Sequence, residues 1–150
     1  MRQADIAVYD RDHDMQLVAE VQGRVGASQE WVREIRSNLL AAKAIPLTPY
    51  FLLAMPDAFY LWTPASHGDP AAPPAYRIDA REALAPYIRG FEDSLETINP
   101  YSLQLLVSSW LQDLAFSDPI REPSRNAGWL VESGLYQAIR RGSVDVDVAV

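Results

Sequence analysis

Glu20 is the residue of this 150-residue chain that most requires an explanation. It sits inside Leu17-Val18-Ala19-Glu20-Val21, an apolar run expected to be buried, where a carboxylate is costly unless a metal ion, a cation or several donors meet it. Two further polar residues belong to its surroundings. Asp5 heads the preceding β-rich run. Gln22 follows Glu20 by two positions and shares its strand face, because side chains alternate along a strand. Asp5 keeps step with Ala7 and Tyr9, so it reaches the face of Glu20 and Gln22 only if the pairing register brings it there. Carboxylates so placed either hold a divalent cation or pair with an arginine, and Arg24 and Arg36 are the arginines in reach of a core-fixing pair with Glu20.

The elements that must position these groups follow from periodicity. Residues 5–10 and 16–22 read as strands joined by Arg11-Asp12-His13-Asp14-Met15, a connection of hairpin length. Ser28 is a helix N-cap ahead of QEWVREIRSNLLAAKA, in which Trp31, Ile35, Leu39 and Ala42 recur at helical spacing as the buried stripe. Thr48 to Ala54 and Phe59 to Thr63 are further strands around a Met55-Pro56-Asp57-Ala58 turn. The order strand, strand, helix, strand, strand implies a mixed sheet with a crossover helix. Pro64 to Ala75 reads as a proline-rich loop in which His67 stands alone. Asp79 caps a short helix through Leu84, and Asn99-Pro100 opens a helix carrying Leu103, Leu106, Trp110 and Leu114. Ser133 caps a last helix ending near Arg140, Arg141 and Gly142. In the closing strand, Val144, Val146, Val148 and Val150 face one way and Asp145 and Asp147 the other, a pattern that suits a charged sheet edge better than a metal site.

Composition sets the outer limits. Half of the residues are apolar and no low-complexity tract interrupts them, which predicts one domain over 1–150, with a core hairpin, crossover helix and strands in 1–63 and helices with a terminal strand in 76–150. Absence of cysteine excludes disulfides and thiolate metal sites. No apolar stretch has the length of a signal peptide or a membrane span, and the expected location is cytoplasmic. The net charge of −7, with Lys43 the single lysine among 13 basic residues, weighs against a general nucleic-acid binder while leaving room for a local face of Arg24, Arg33 and Arg36. Asp10, Asp12 and Asp14 have the spacing that opens a calcium loop, but Met15 and Val21 stand where that loop needs glycine and glutamate. The segment is expected to be a solvated turn with His13 exposed.

Asp5, fourteen intervening residues, and then Glu20-Val21-Gln22 at the end of a hairpin, followed by a crossover helix and strands, resemble the PD-(D/E)XK nuclease superfamily, the restriction-endonuclease-like fold, over roughly residues 4–63. The resemblance implies an α/β fold: a mixed β-sheet flanked by helices, here with a helical C-terminal part and a final short strand. It also implies that Asp5 and Glu20 bind Mg²⁺ or Mn²⁺, that the Val21 carbonyl completes the ligands, and that Gln22 occupies the position of the usual lysine and orients the attacking water. Gln29 would be the supporting polar residue, and Arg33 and Arg36 candidates to replace the missing cation. Ala4 stands in place of the family's proline, and the family's helix before the first strand is expected to be supplied elsewhere or absent.

The expected function is Mg²⁺-dependent phosphodiester hydrolysis by an endonuclease acting on nucleic acid, DNA in the first instance, possible as a homodimer and without membrane association. The alternative is an interaction or regulatory module that keeps the fold without the chemistry. A third reading makes SVDVDVAV an assembly strand that pairs with another chain.

Overall fold

A computed structural model describes residues 3–116 and 128–149. Its centre is a six-stranded sheet in the order β5-β4-β3-β2-β1-β6. The strands are β1 (Gln3–Tyr9), β2 (Met15–Val21), β3 (Tyr50–Ala54), β4 (Ala58–Trp62), β5 (Tyr76–Asp79) and β6 (Ser143–Ala149). β2 and β3 run parallel and every other neighbouring pair is antiparallel. The mixed α/β architecture expected from the sequence is therefore present, with a crossover helix α1 (Gln29–Ala41) between the parallel strands, as parallel pairing requires.

Each sheet face has its own core. Alternation places Leu17, Ala19, Val21, Leu52, Phe59 and Leu61 on one side, under α3 (Pro100–Phe116) and the short α4 (Gly128–Glu132) and α5 (Leu135–Ile139), with Leu103, Val107, Trp110 and Tyr136 filling the space. Val18, Phe51, Leu53, Tyr60 and Trp62 face the other way and pack with Val32 and Leu39 of α1. α2 (Ala80–Ala83) is a single turn after β5, capped by the Asp79 carboxylate, which accepts from the Arg81 N–H at 2.8 Å. No helix among the described residues is long and apolar enough to cross a membrane.

Several boundaries move from their expected places. α1 starts where Ser28 predicts, its hydroxyl accepting from Trp31 N, but it ends at Ala41. The buried stripe of α1 is Val32, Arg36 and Leu39, with Trp31 and Ile35 half-buried and Ala42 exposed. The helix is thus rotated from the expected stripe, because Arg36 can lie beneath the proline-rich loop while its head meets a polar group. β5 forms in the segment between the proline-rich loop and the short helix, to which the sequence assigned no element, and its last residue, Asp79, still caps α2 as expected. The last helix is shorter than expected, running Leu135–Ile139 behind Gly134, although the Ser133 hydroxyl still accepts from Leu135 N at 3.2 Å. On β6 the valines are not equivalent: Val144 packs against the core and Val146 is exposed, while Val150 lies outside the described residues.

Candidate functional site

Hairpin register decides whether Asp5 and Glu20 meet. β1 and β2 pair through Val8↔Leu17, Ala7↔Val18 and Ile6↔Ala19, which brings Asp5 to the end of the regular ladder, beside the Glu20–Val21 segment. There the ladder changes character. Instead of a backbone partner, the Val21 N–H donates to Asp5 Oδ2 at 2.8 Å. In an extended strand the N–H and C=O of one residue lie on the same edge, so the Val21 carbonyl also faces the β1 side. Glu20 is buried, 2% exposed, whereas Asp5 and Gln22 are half-buried.

β1 is irregular at Asp5. Ile6 and Val8 pack on the α3 face, yet Ala4, two residues before Ile6, packs on the α1 face, so alternation breaks between Ala4 and Ile6. The rungs Ala4↔Val148 and Ile6↔Val146 set Asp147 of β6 beside Asp5 on its other side, and Asp147 has φ 52°, an unusual conformation for a residue in a strand. Asp147 and Asp5 therefore lie side by side where both strands are distorted. Their side chains do not share a site: Asp147 Oδ1 accepts from Gln104 Nε2 of α3 at 3.2 Å, on the face away from α1, while Asp5 Oδ2 accepts from Val21 N. Among the described residues, no group of three His, Cys, Asp or Glu side chains is disposed to hold a metal ion.

The end of the parallel pair encloses this region. Gln22 N donates to Ala54 O at 3.0 Å, and Gly26, at φ +69°, donates its N–H to Asp57 Oδ2 at 2.9 Å. Asp57 lies in the β3–β4 turn; its Oδ1 is buried and makes no hydrogen bond among the described residues. The sequence reading treated Asp57 as a turn residue, and no spacing signal links it to Gly26, thirty-one positions earlier. Gly23 presses against the start of α3, where an added Cβ would lie 2.9 Å from Pro100 Cγ. Ligands in open α/β sheets bind at the carboxyl ends of parallel strands, which is where Gln22 and Asp57 stand.

The supporting residues do not gather there. Arg33 donates through Nε and Nη2 to Ala71 O at 3.2 and 2.9 Å. Arg36 donates to Asp69 O at 3.0 Å and lies over the Trp62 ring at 5.5 Å, while Trp62 Nε1 donates to Ala72 O at 2.9 Å. Burial lowers the Arg36 pKa from its ordinary value, with the Asp69 charge acting in the opposite direction. The two arginines expected to supply a cation thus pin the proline-rich loop to α1 and β4. Arg24 lies over Trp31 at 4.6 Å, and Gln29 is exposed in the first turn of α1.

The Asp10–Asp14 segment closes on itself. Asp10 Oδ1 accepts from the N–H groups of Asp12 and Asp14, each at 2.9 Å, and Oδ2 accepts from Gln16 Nε2 at 3.0 Å. His13, at φ 67°, stacks on Tyr9 with 4.6 Å between ring centres. This is a hairpin loop organised by one aspartate. Comparison of the chain with protein-family models, with curated proteins and with solved structures finds no match.

Proposed function

We propose that this protein is a divalent-metal-dependent phosphodiesterase with a restriction-endonuclease-like core, acting on DNA. The observation that carries the reading is a hydrogen bond: the Asp5 carboxylate accepts at 2.8 Å from the Val21 N–H, the backbone donor between Glu20 and Gln22. The order β1, β2, α1, β3, with β3 parallel to β2, supports it as the arrangement that sets such a hairpin beside a crossover helix.

The donors suit a hard cation. Two carboxylates and a main-chain carbonyl edge form an all-oxygen set, and Mg²⁺ is commonly held by one or two carboxylates with water completing its shell. When bound, such an ion supplies a water-derived nucleophile near neutral pH and neutralises charge on the phosphoryl oxygens. Glu20 and Asp5 would hold it, and the half-buried Gln22 amide would orient a water by hydrogen bonding. Gln22 brings no positive charge, and Arg33 and Arg36 are committed to the loop at residues 69–71.

That last observation favours a second reading, in which the same fold serves as a non-catalytic interaction module. Cleavage of a nucleic-acid panel in Mg²⁺ and Mn²⁺, with Glu20→Gln purified in parallel, separates the two. A nuclease predicts metal-dependent cutting by the wild type alone, together with a metal-induced rise in melting temperature that Glu20→Gln abolishes. Identical behaviour of the two proteins in both assays would refute the nuclease reading. Gln22→Lys is expected to preserve or raise cleavage, since it restores a cation beside the water.

A further inference from the structure

The hairpin loop and the turn after α5 meet at the opposite end of β2 from Glu20, roughly 15 Å away at 3.3 Å per residue. Between them lies a cavity of about 410 Å³ lined by Asp10, Arg11, Asp12, Gln16, Gln137, Ala138, Arg140 and Arg141. All but one of these side chains are polar. A hydrophilic ligand fits such walls and a lipid does not, and the volume falls within the range of small-molecule sites.

The charges in the cavity are unequal. Its lining includes Arg11, Arg140 and Arg141 and the carboxylates of Asp10 and Asp12. None of the three guanidiniums forms an ion pair among the described residues; the pair found there links Arg81 with Glu96 at 3.9 Å. Asp10 is already engaged, both of its oxygens accepting from Asp12 N, Asp14 N and Gln16 Nε2. The cavity therefore retains more guanidinium donors than carboxylate acceptors.

The turn that carries Arg140 and Arg141 is anchored through its backbone. Arg140 N donates to Tyr136 O at 3.0 Å, and Arg141 N to Ala115 O at 2.8 Å, with Arg141 at φ 62°. Gly142 follows, and an added Cβ there would lie 1.7 Å from Tyr9 O, so this turn is seated directly on the end of β1 beside the loop that carries Arg11. From this anchored turn the two side chains extend, and a guanidinium presents paired N–H donors in a plane matched to phosphate oxygens.

We infer that this cavity is a binding site for a phosphate monoester, with Arg11, Arg140 and Arg141 as its charged donors and the Gln16 and Gln137 amides as neutral ones. The site is distinct from Asp5 and Glu20 and does not rest on the hydrolase reading.

The test is calorimetric titration of the full chain, at constant ionic strength, with inorganic phosphate, a 5′-phosphorylated mononucleotide and a DNA oligonucleotide lacking terminal phosphate. Saturable binding of the first two is expected, with an affinity that falls about tenfold or more in Arg140→Gln/Arg141→Gln. Arg11→Gln should weaken it separately, and Glu20→Gln should leave it unchanged. If the mononucleotide binds and inorganic phosphate does not, the ligand is a larger phosphorylated molecule and the assignment stands. Absence of saturable mononucleotide binding, whether or not inorganic phosphate binds, overturns the assignment. So does binding that the paired arginine variant retains, or an oligonucleotide that competes as well as the mononucleotide.

Discussion

Asp10 shows how much one side chain can organise. Its carboxylate accepts three hydrogen bonds within the hairpin loop, whereas Asp12 contributes only its backbone N–H to that network. Asp10→Ala should therefore cost about 1–3 kcal/mol, and Asp12→Ala should stay within about 0.5 kcal/mol of wild type, as measured by urea unfolding. Glycines separate in the same way. Gly142→Ala places a methyl group against the Tyr9 carbonyl and should cost about 3 kcal/mol or more, while Gly26→Ala meets no atom within 4 Å and should cost about 1 kcal/mol for its positive φ. Two tyrosines set the alkaline limit. Tyr87 is pushed above the ordinary tyrosine range by burial first, then by its hydrogen bond to Asp113 and that residue's charge; Tyr50 is raised by burial and then by Tyr76. A raised folded pKa means that this stability is fully present below the unfolded value near 10 and is lost as pH rises through the higher folded values. Stability should fall above about pH 10, with a shallower slope in Tyr87→Phe. At this scale Glu20 was legible because a charge in an apolar run is conspicuous, while Arg36 was not, because a long aliphatic stem lets arginine occupy a core stripe that its charge conceals.

Elements were readable where periodicity was strong and ambiguous where it was short. The β1–β2 hairpin, α1 and α3 announce themselves by alternation or caps, and Asn99 does cap α3, its Oδ1 accepting from Ser102 N at 2.8 Å. β5 has four residues, two of them charged, and becomes a strand because β4 offers it an edge, a cause that lies outside its own sequence. The proline-rich loop likewise looked featureless, yet Arg33, Arg36 and Trp62 hold it from beneath. Arg36→Ala should release this strap without melting the sheet, seen as faster limited proteolysis between Pro64 and Ala75 at a nearly unchanged far-UV spectrum. Register was the other hidden quantity. Whether Asp5 meets Glu20 depends on a single-residue choice in pairing, which the hydrophobic pattern of both strands allows but does not announce.

For the whole molecule, the two faces of the sheet are divided between α1 on one side and the C-terminal helices on the other, so the two proposed sites draw on different parts of the chain. Asp5 and Glu20 both come from the β1–β2 hairpin, while the arginine cavity needs the hairpin loop and the turn after α5 together. Asp145→Asn should accordingly leave any hydrolysis unchanged. β6 pairs with β1 of its own chain, so the strand proposed for assembly already has an internal partner. Removing residues 143–150 should expose β1 as a new edge and drive aggregation, detected as light scattering that grows with concentration.

β1 and β6 run antiparallel with Gln3 beside Ala149 and Tyr9 beside Ser143. A load applied between Gln3 and Ala149 would consequently meet the ladder at one end and open its rungs singly, like a zip, instead of shearing them together. The protein should yield at low force in an optical trap, shedding β6 first and keeping the other five strands as a sheet.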